Sequence, residues 1–168
     1  MKKNYEIKCS LSDYKTLRKK ILDSGRYVYS KENQRDIYYK VRKGRLKLRV
    51  INNQTGNLIY YNRNEKSGKR ISNYVIFRTS EFKELSQLLK ILYSVKIEVL
   101  KTREIFVRKN IRIHLDKIKQ LGSFLEIEIT GNNLNSSELQ MSKLISQLGL
   151  NENQFIKNSY SDLLIQKK

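Results

Sequence analysis

The feature that most constrains this chain is a strand pattern with one aliphatic face and one charged face. In residues 123–130, side chains of an extended strand alternate between two faces, so Glu126 and Glu128 share one face while leucine and isoleucines share the other. The same alternation aligns three bases in residues 44–50 and recurs in residues 4–8. Like charges on one face repel each other unless water or a cation separates them, so these strands predict contact with a metal and a polyanion.

The alternation and the apolar spacing together predict the fold class. The pattern indicates one α+β domain spanning residues 1–168, with seven or eight largely antiparallel strands and peripheral helices. Closing such a sheet into a barrel would remove its exposed edges, and helices packed on the aliphatic faces would leave the charged faces lining the interior. Strands are predicted at about residues 4–9, 45–51, 57–63, 73–78, 95–108, 110–116 and 123–130, helices at 13–24, 81–93 and 138–148, and a short turn at 159–164. The predicted helix caps are Ser12, Ser80 and either Ser136 or Ser137.

Composition restricts the partners and the compartment. The 168 residues include 35 Lys and Arg against 16 Asp and Glu, a formal net charge of +19, which favours nucleic acid, an anionic membrane or a polyphosphate. Cys9 is the only cysteine, which excludes an intrachain disulfide and a zinc site of several cysteines. No apolar run follows the N-terminal lysines, and none approaches the roughly 20 residues of a membrane span. We therefore expect a soluble cytoplasmic protein.

The charged faces of the predicted strands combine acids and bases in a way that has its own chemistry. Carboxylates suit a hard divalent cation such as Mg²⁺ or Mn²⁺, which prefers oxygen ligands and keeps substrate phosphates in its coordination shell. Arginine forks and lysine ammonium groups suit phosphate oxygens. Together, the acids and bases on these strand faces predict a site for a metal–polyphosphate complex. The acids are Glu6, Asp116, Glu126 and Glu128, and the bases are Lys8, Arg45, Lys47, Arg49, Arg63, Arg103 and Arg112.

Six segments that carry these residues, in order along nearly the whole chain, resemble the CYTH family of triphosphate tunnel metalloenzymes. That family includes class IV adenylate cyclases, whose motif spelling is the most similar, thiamine triphosphatases and inorganic triphosphatases. The resemblance implies an eight-stranded antiparallel β-barrel that binds a triphosphate inside, with a divalent metal on strand carboxylates. The segments are Asn4-Tyr-Glu-Ile-Lys8, Gly44-Arg-Leu-Lys-Leu-Arg49, Leu58-Ile-Tyr-Tyr-Asn-Arg63, Arg112-Ile-His-Leu-Asp116, Leu121-Gly-Ser-Phe-Leu-Glu-Ile-Glu128 and Ser159-Tyr-Ser-Asp-Leu-Leu164.

Position by position, the resemblance also implies residue roles. The implied metal ligands are Glu6, Glu126 and Glu128, with Asp116 contributing, and the three glutamates are the implied catalytic residues. The predicted substrate-binding residues are Lys8, Arg45, Lys47, Arg49, Arg63, Arg103 and Arg112. The chain departs from the family at Asn4, where the Glu-x-Glu-x-Lys signature has its first glutamate. An amide brings no charge, so the departure bears on the number of metals.

Three functions are compatible with this pattern. The first is hydrolysis of a triphosphate, with inorganic triphosphate, thiamine triphosphate or ATP as the substrate and Mg²⁺ or Mn²⁺ as the cofactor. The second is adenylate cyclisation, in which ATP gives cyclic AMP and pyrophosphate. The third is non-catalytic binding of polyphosphate, nucleotide or RNA, the last through the basic surface. His114, the only histidine, suggests a general base, but a structural pairing with Asp116 explains it at least as well, so it is not counted among the catalytic residues. For the oligomeric state, the sequence is compatible with a monomer and with a dimer.

Overall fold

The computed structural model describes residues 2–66, 69–131 and 133–167, and the side chains of residues 4–62, 73–131 and 133–167. Within these ranges the chain forms eight strands, four α-helices and one 3₁₀ turn at Glu152–Gln154. The strands are β1 (Lys2–Ser10), β2 (Val28–Tyr39), β3 (Arg45–Ile51), β4 (Thr55–Lys66), β5 (Lys69–Thr79), β6 (Val95–Arg108), β7 (Ile111–Ile118) and β8 (Gly122–Thr130). The helices are α1 (Tyr14–Asp23), α2 (Phe82–Leu92), α3 (Leu134–Leu148) and α4 (Tyr160–Gln166).

The strands close into an antiparallel barrel. Their order around it is β1-β5-β4-β3-β2-β6-β7-β8, and β1 closes the ring because it pairs with both β5 and β8. The predicted α+β barrel with peripheral helices is confirmed, as are seven of its strands. The strand that sequence reasoning missed is β2, which pairs with β3 and β6.

The aliphatic faces of β1, β3, β6, β7 and β8 point outward and are largely covered by helices, whereas Val75 and Phe77 of β5 stay exposed. Helices α1 and α3 pack over β1, β6, β7 and β8, where buried residues such as Ile7, Phe106 and Ile127 contact Ile21 of α1 and Met141 of α3. On the other side, α2 packs on β2 and β3 in a second apolar cluster. Because side chains alternate along a strand, covering the aliphatic faces from outside turns the charged faces into the barrel interior.

One end of the barrel is closed by α4. Tyr160 and Leu164 of this helix pack among apolar side chains that include Tyr38 and Phe124, and the rings of Tyr160 and Phe124 meet edge to face, 5.1 Å apart. The helix begins at Ser159 in a capping box, in which Ser159 and Asp162 each satisfy a backbone group of the other. The interior is thus a tunnel that is closed near α4.

Three helix starts differ from the predictions. The N-cap of α1 is Asp13 rather than Ser12, because the Asp13 carboxylate accepts a 3.0 Å hydrogen bond from the Thr16 amide. Helix α2 begins after Glu81 without a side-chain cap. The N-cap of α3 is Asn133 rather than a serine three or four residues later, so this helix is longer than predicted. None of the helices described here is long and apolar enough to cross a membrane.

Candidate functional site

Charged side chains of β1 and β8 form one wall of the tunnel. Glu6 lies opposite Glu128 in the strand register, and Lys8 lies opposite Glu126, which brings side chains of the same face close together. Lys8 is buried, and its Nζ atom lies 2.9 Å from a carboxylate oxygen of Glu126. The three glutamates predicted from the sequence therefore line one cavity together with Lys8.

His114 of β7 forms a compact group with the two glutamates of β8. One potential ligand atom from each of His114, Glu126 and Glu128 lies within 4.8 Å of the others. The Nδ1 atom of His114 is buried without a hydrogen-bond partner among the described residues, 3.9 Å from Glu126 and 3.8 Å from Glu128. An unpaired buried nitrogen beside two carboxylates fits a divalent cation.

Asn4 of β1 contacts this wall through two hydrogen bonds between its side chain and residues of β8. Its Nδ2 atom donates to Glu128 at 3.2 Å, and its Oδ1 atom accepts from the Thr130 hydroxyl at 3.0 Å. A glutamate at position 4 would place a further carboxylate beside Glu128 and Glu6. The asparagine instead orients Glu128 without adding repulsion, so the negative charge at this wall comes from the three glutamates.

Asp116 is buried and engaged by two partners. The Arg103 guanidinium donates to both of its oxygens, at 2.7 and 2.6 Å, and the Tyr160 hydroxyl donates to Oδ2 at 2.8 Å. Arg103 also forms an ion pair with Glu126. Asp116 therefore fixes Arg103 against the wall that carries Glu126. His114 faces the β8 glutamates instead of the aspartate with which sequence reasoning had paired it.

A second carboxylate cluster lies on the opposite part of the barrel, around Asp36 of β2. Its Oδ2 atom lies 2.7 Å from Lys47 and 3.7 Å from Lys101, while Arg49 donates to both oxygens at 2.7 and 2.9 Å. Sequence reasoning predicted Lys47 and Arg49 but missed Asp36 and Lys101. The polar alternation Glu32-x-Gln34-x-Asp36 in β2 is the signal that could have found the aspartate.

The remaining predicted bases occupy different places. Arg112 lines the tunnel and is exposed. Arg45 lies at the closed end, where it donates to the Ser159 hydroxyl at 2.5 Å and to Asp162 at 2.9 Å, and thereby holds the start of α4. The side chain of Arg63 lies outside the described residues.

Burial and neighbouring charges shift the pKa values inside the tunnel. Burial by itself would raise the pKa of Glu126, but Lys8 and Arg103 outweigh it and hold that pKa well below its usual range. Burial lowers the pKa of Lys101 to about 7, and Arg103 and Arg49 add to the effect. The tunnel thus favours the ionised form of Glu126, while the pKa of Lys101 lies near neutral pH.

Solved structures with the same architecture match this chain over nearly its whole length. The PH1012 protein from Pyrococcus horikoshii OT3 is 24% identical, with a TM-score of 0.86 over 97% of this chain and 99% of that one. The PH1819 protein from the same organism is 25% identical, with a TM-score of 0.74 over 98% and 99%. The candidate adenylyl cyclase HpAC1 from Hippeastrum is 10% identical, with a TM-score of 0.72 over 100% and 97%.

The comparison with sequence families agrees with the architecture. No protein with a curated description matches the chain. The model of the CYTH domain matches residues 2–160, which include all eight strands and every predicted site residue. This protein therefore belongs to the CYTH family.

Proposed function

We propose that this protein is a divalent-metal-dependent triphosphatase that binds its substrate inside the tunnel. The observation that carries the proposal is a single cavity of about 300 Å³, lined by six lysine and arginine side chains and four glutamates. Membership of the CYTH family supports it, and HpAC1 is described as having a dominant triphosphatase activity. The lining bases are Lys8, Lys47, Arg49, Lys101, Arg103 and Arg112, and the lining acids are Glu6, Glu32, Glu126 and Glu128.

The charge balance of the tunnel indicates why a metal accompanies the substrate. Five of the six lining bases already face Asp36, Asp116 or Glu126 in ion pairs: Lys8, Lys47, Arg49, Lys101 and Arg103. A polyphosphate that enters must share those cations with the internal carboxylates. A divalent cation on Glu6, Glu126 and Glu128 would supply charge that the side chains do not, and it would polarise a phosphoryl oxygen and orient the attacking water.

The protein's own contribution is positioning and charge stabilisation, which account for most of phosphoryl-transfer catalysis. Arg103 is held by Asp116 and Arg49 by Asp36, each through two hydrogen bonds, so both guanidinium groups are fixed before a substrate arrives. Fixed donors lose little conformational entropy when they bind phosphate oxygens. The closed end at α4 limits how far a triphosphate can enter.

Adenylate cyclisation is the second candidate, and one observation favours it. Ile51, Ile76 and Ile105 line the cavity and are partly or largely exposed, so they offer apolar surface to an organic group attached to the triphosphate. Incubation with ATP and Mn²⁺ or Mg²⁺ separates the reactions by their products. Hydrolysis gives phosphate and ADP, whereas cyclisation gives cyclic AMP and pyrophosphate.

The test of the proposal is metal-dependent phosphate release from inorganic triphosphate, thiamine triphosphate and ATP. We expect Glu126→Gln and Glu128→Gln to reduce release by about 100-fold or more, as expected for loss of transition-state charge stabilisation. Circular dichroism and thermal unfolding would check that both variants remain folded. Glu152→Gln, on the exposed 3₁₀ turn, is the matched control and should retain activity. Undiminished activity in both tunnel variants would refute the assignment.

A further inference from the structure

A large groove runs along the outside of the barrel and meets the tunnel at Gln34 and Lys101, which line both. Its floor is the outer face of β2 and β6, where Arg35 and Leu100 are exposed, and one side is α2. On the other side, Lys117 of β7 extends over the ring of Tyr14 in α1, with Nζ 4.5 Å from the ring centroid. The groove has a volume of about 1180 Å³, compared with about 300 Å³ for the tunnel.

The charge in this groove has one sign. Lys83 and Lys90 of α2 line one side, and Lys117 and Lys119 line the other, all four exposed to solvent. None of the described residues that line the groove is an aspartate or a glutamate. The nearby acid is Glu98, which is already bound by Arg35 through two hydrogen bonds of 2.9 and 2.8 Å. A groove with lysines on two facing sides favours a chain-like polyanion that lies between them.

The remaining lining residues indicate what is recognised. Phe82 is the only aromatic residue among the described lining residues, and it is 8% exposed, so the groove offers no ring on which bases could stack. The end near the β3–β4 turn carries several amide side chains, which can both donate to and accept from hydroxyl groups. Amides beside lysines suit ribose 2′-hydroxyls next to phosphates, a combination that RNA presents and DNA lacks. These amides belong to Asn33, Asn52, Asn53 and Gln54.

We propose that this groove binds the sugar–phosphate backbone of single-stranded RNA without reading its bases. The site differs from the triphosphate tunnel, because four of its five lysines lie on the outer surface and do not line the tunnel; the fifth, Lys101, lines both. The four outer groove lysines also contribute to the net charge of +19, and the tunnel does not need them to bind a triphosphate.

The test measures the affinity for a fluorescein-labelled 20-nucleotide oligouridylate with a 5′-hydroxyl, by anisotropy in EDTA at several salt concentrations. Without a 5′-triphosphate or a metal, the probe reports on the groove alone. The groove variant replaces four lysines by glutamine: Lys83, Lys90, Lys117 and Lys119. The control removes the same charge from exposed lysines elsewhere: Lys19, Lys20, Lys143 and Lys157.

We expect the groove variant to bind at least about tenfold more weakly, with a salt slope smaller by about 0.7 for each phosphate that it no longer neutralises. The control variant should bind like the wild type. Equal weakening in both variants would show that binding follows net charge and would overturn the proposal, as would equally tight binding of a 20-base-pair RNA duplex or of the DNA oligonucleotide of equal length. Hydrolysis of inorganic triphosphate by the groove variant serves as a separate readout, since the proposed tunnel activity does not depend on these lysines.

Discussion

Two groups of buried carboxylates occupy the same barrel and differ in how completely bases enclose them. Asp36 is 1% exposed and lies against Lys47, Arg49 and Lys101, while Asp116 is fully buried beneath Arg103 and Tyr160. Their oxygens are occupied by donors from the protein itself.

The glutamates of β8 also accept from protein donors, Glu126 from Lys8 and Arg103 and Glu128 from Asn4, but they are less completely enclosed. The side chains of Glu126 and Glu128 retain 16% and 17% exposure toward the tunnel, and an unpaired buried imidazole nitrogen lies beside them. Enclosed carboxylates fix the bases in place, whereas carboxylates that still face the cavity remain available to a cation. Acids with equal charge in one barrel thus differ in the exposure that they retain toward the cavity.

The largest expected effect comes from removing the charge of an enclosed carboxylate. Asp36→Asn would leave three buried cations without their counter-charge, and we expect the free energy of unfolding to fall by about 3 to 5 kcal/mol. Glu128→Gln removes a partly exposed charge that lies beside other acids, so its free energy of unfolding should change by less than about 1 kcal/mol. Urea denaturation of both variants at pH 7 measures the difference. Equal stability of the two variants would remove the distinction between enclosed and open carboxylates.

The second prediction concerns Lys101, the base that lies farthest from Asp36 in its cluster. Its pKa in the folded state is about 7, below the ordinary value of 10.5, because burial and Arg103 and Arg49 oppose its charge. Between those two pH values the unfolded chain binds a proton that the folded protein does not, so this lysine makes stability rise with pH.

We therefore expect the wild type to gain stability relative to Lys101→Met as the pH rises from 7 toward 10.5, by at most about 1.4 kcal/mol per pH unit. Urea denaturation of both proteins at pH 7, 8 and 9 gives the difference directly, because titrations elsewhere in the chain cancel. If the free energies of unfolding of the two proteins changed equally with pH, Lys101 would keep its charge in the folded state. Asp36 would then offset the cost of burying Lys101 as fully as it does for Arg49.

Sequence patterns predicted the barrel where one strand face is covered by helices and the other is charged. That condition holds for β8, for example, in which buried Leu125 and Ile127 alternate with Glu126 and Glu128. It fails for most of β2, whose outer face lies under no apolar cluster before Ile37. Residues 28–35 are therefore largely polar on both faces, and the hydrophobic alternation that reveals the other strands is missing there.

The site was predicted in part for a related reason. Periodicity placed Arg45, Lys47 and Arg49 on one face of β3, but only strand order shows that Asp36 of β2 lies opposite Arg49. Position along the strand then separates the three bases. Lys47 and Arg49 line the tunnel, while Arg45 at the closed end holds α4. Neither the neighbouring strand nor the depth within the barrel can be read from a local pattern.

The smallest expected effect tests whether Asp116 belongs with Asp36. Tyr160→Phe removes one of its two partners, the 2.8 Å hydrogen bond from the phenol, and leaves the two bonds from Arg103 intact. We expect the free energy of unfolding to fall by about 1 kcal/mol, the usual contribution of one hydrogen bond. The matched control is Tyr93→Phe, a partly exposed tyrosine whose variant should match the wild type. If Tyr160→Phe instead costs as much as Asp36→Asn, the phenol and not the guanidinium keeps Asp116 ionised. Arg103 would then be free to leave the aspartate for a substrate phosphate.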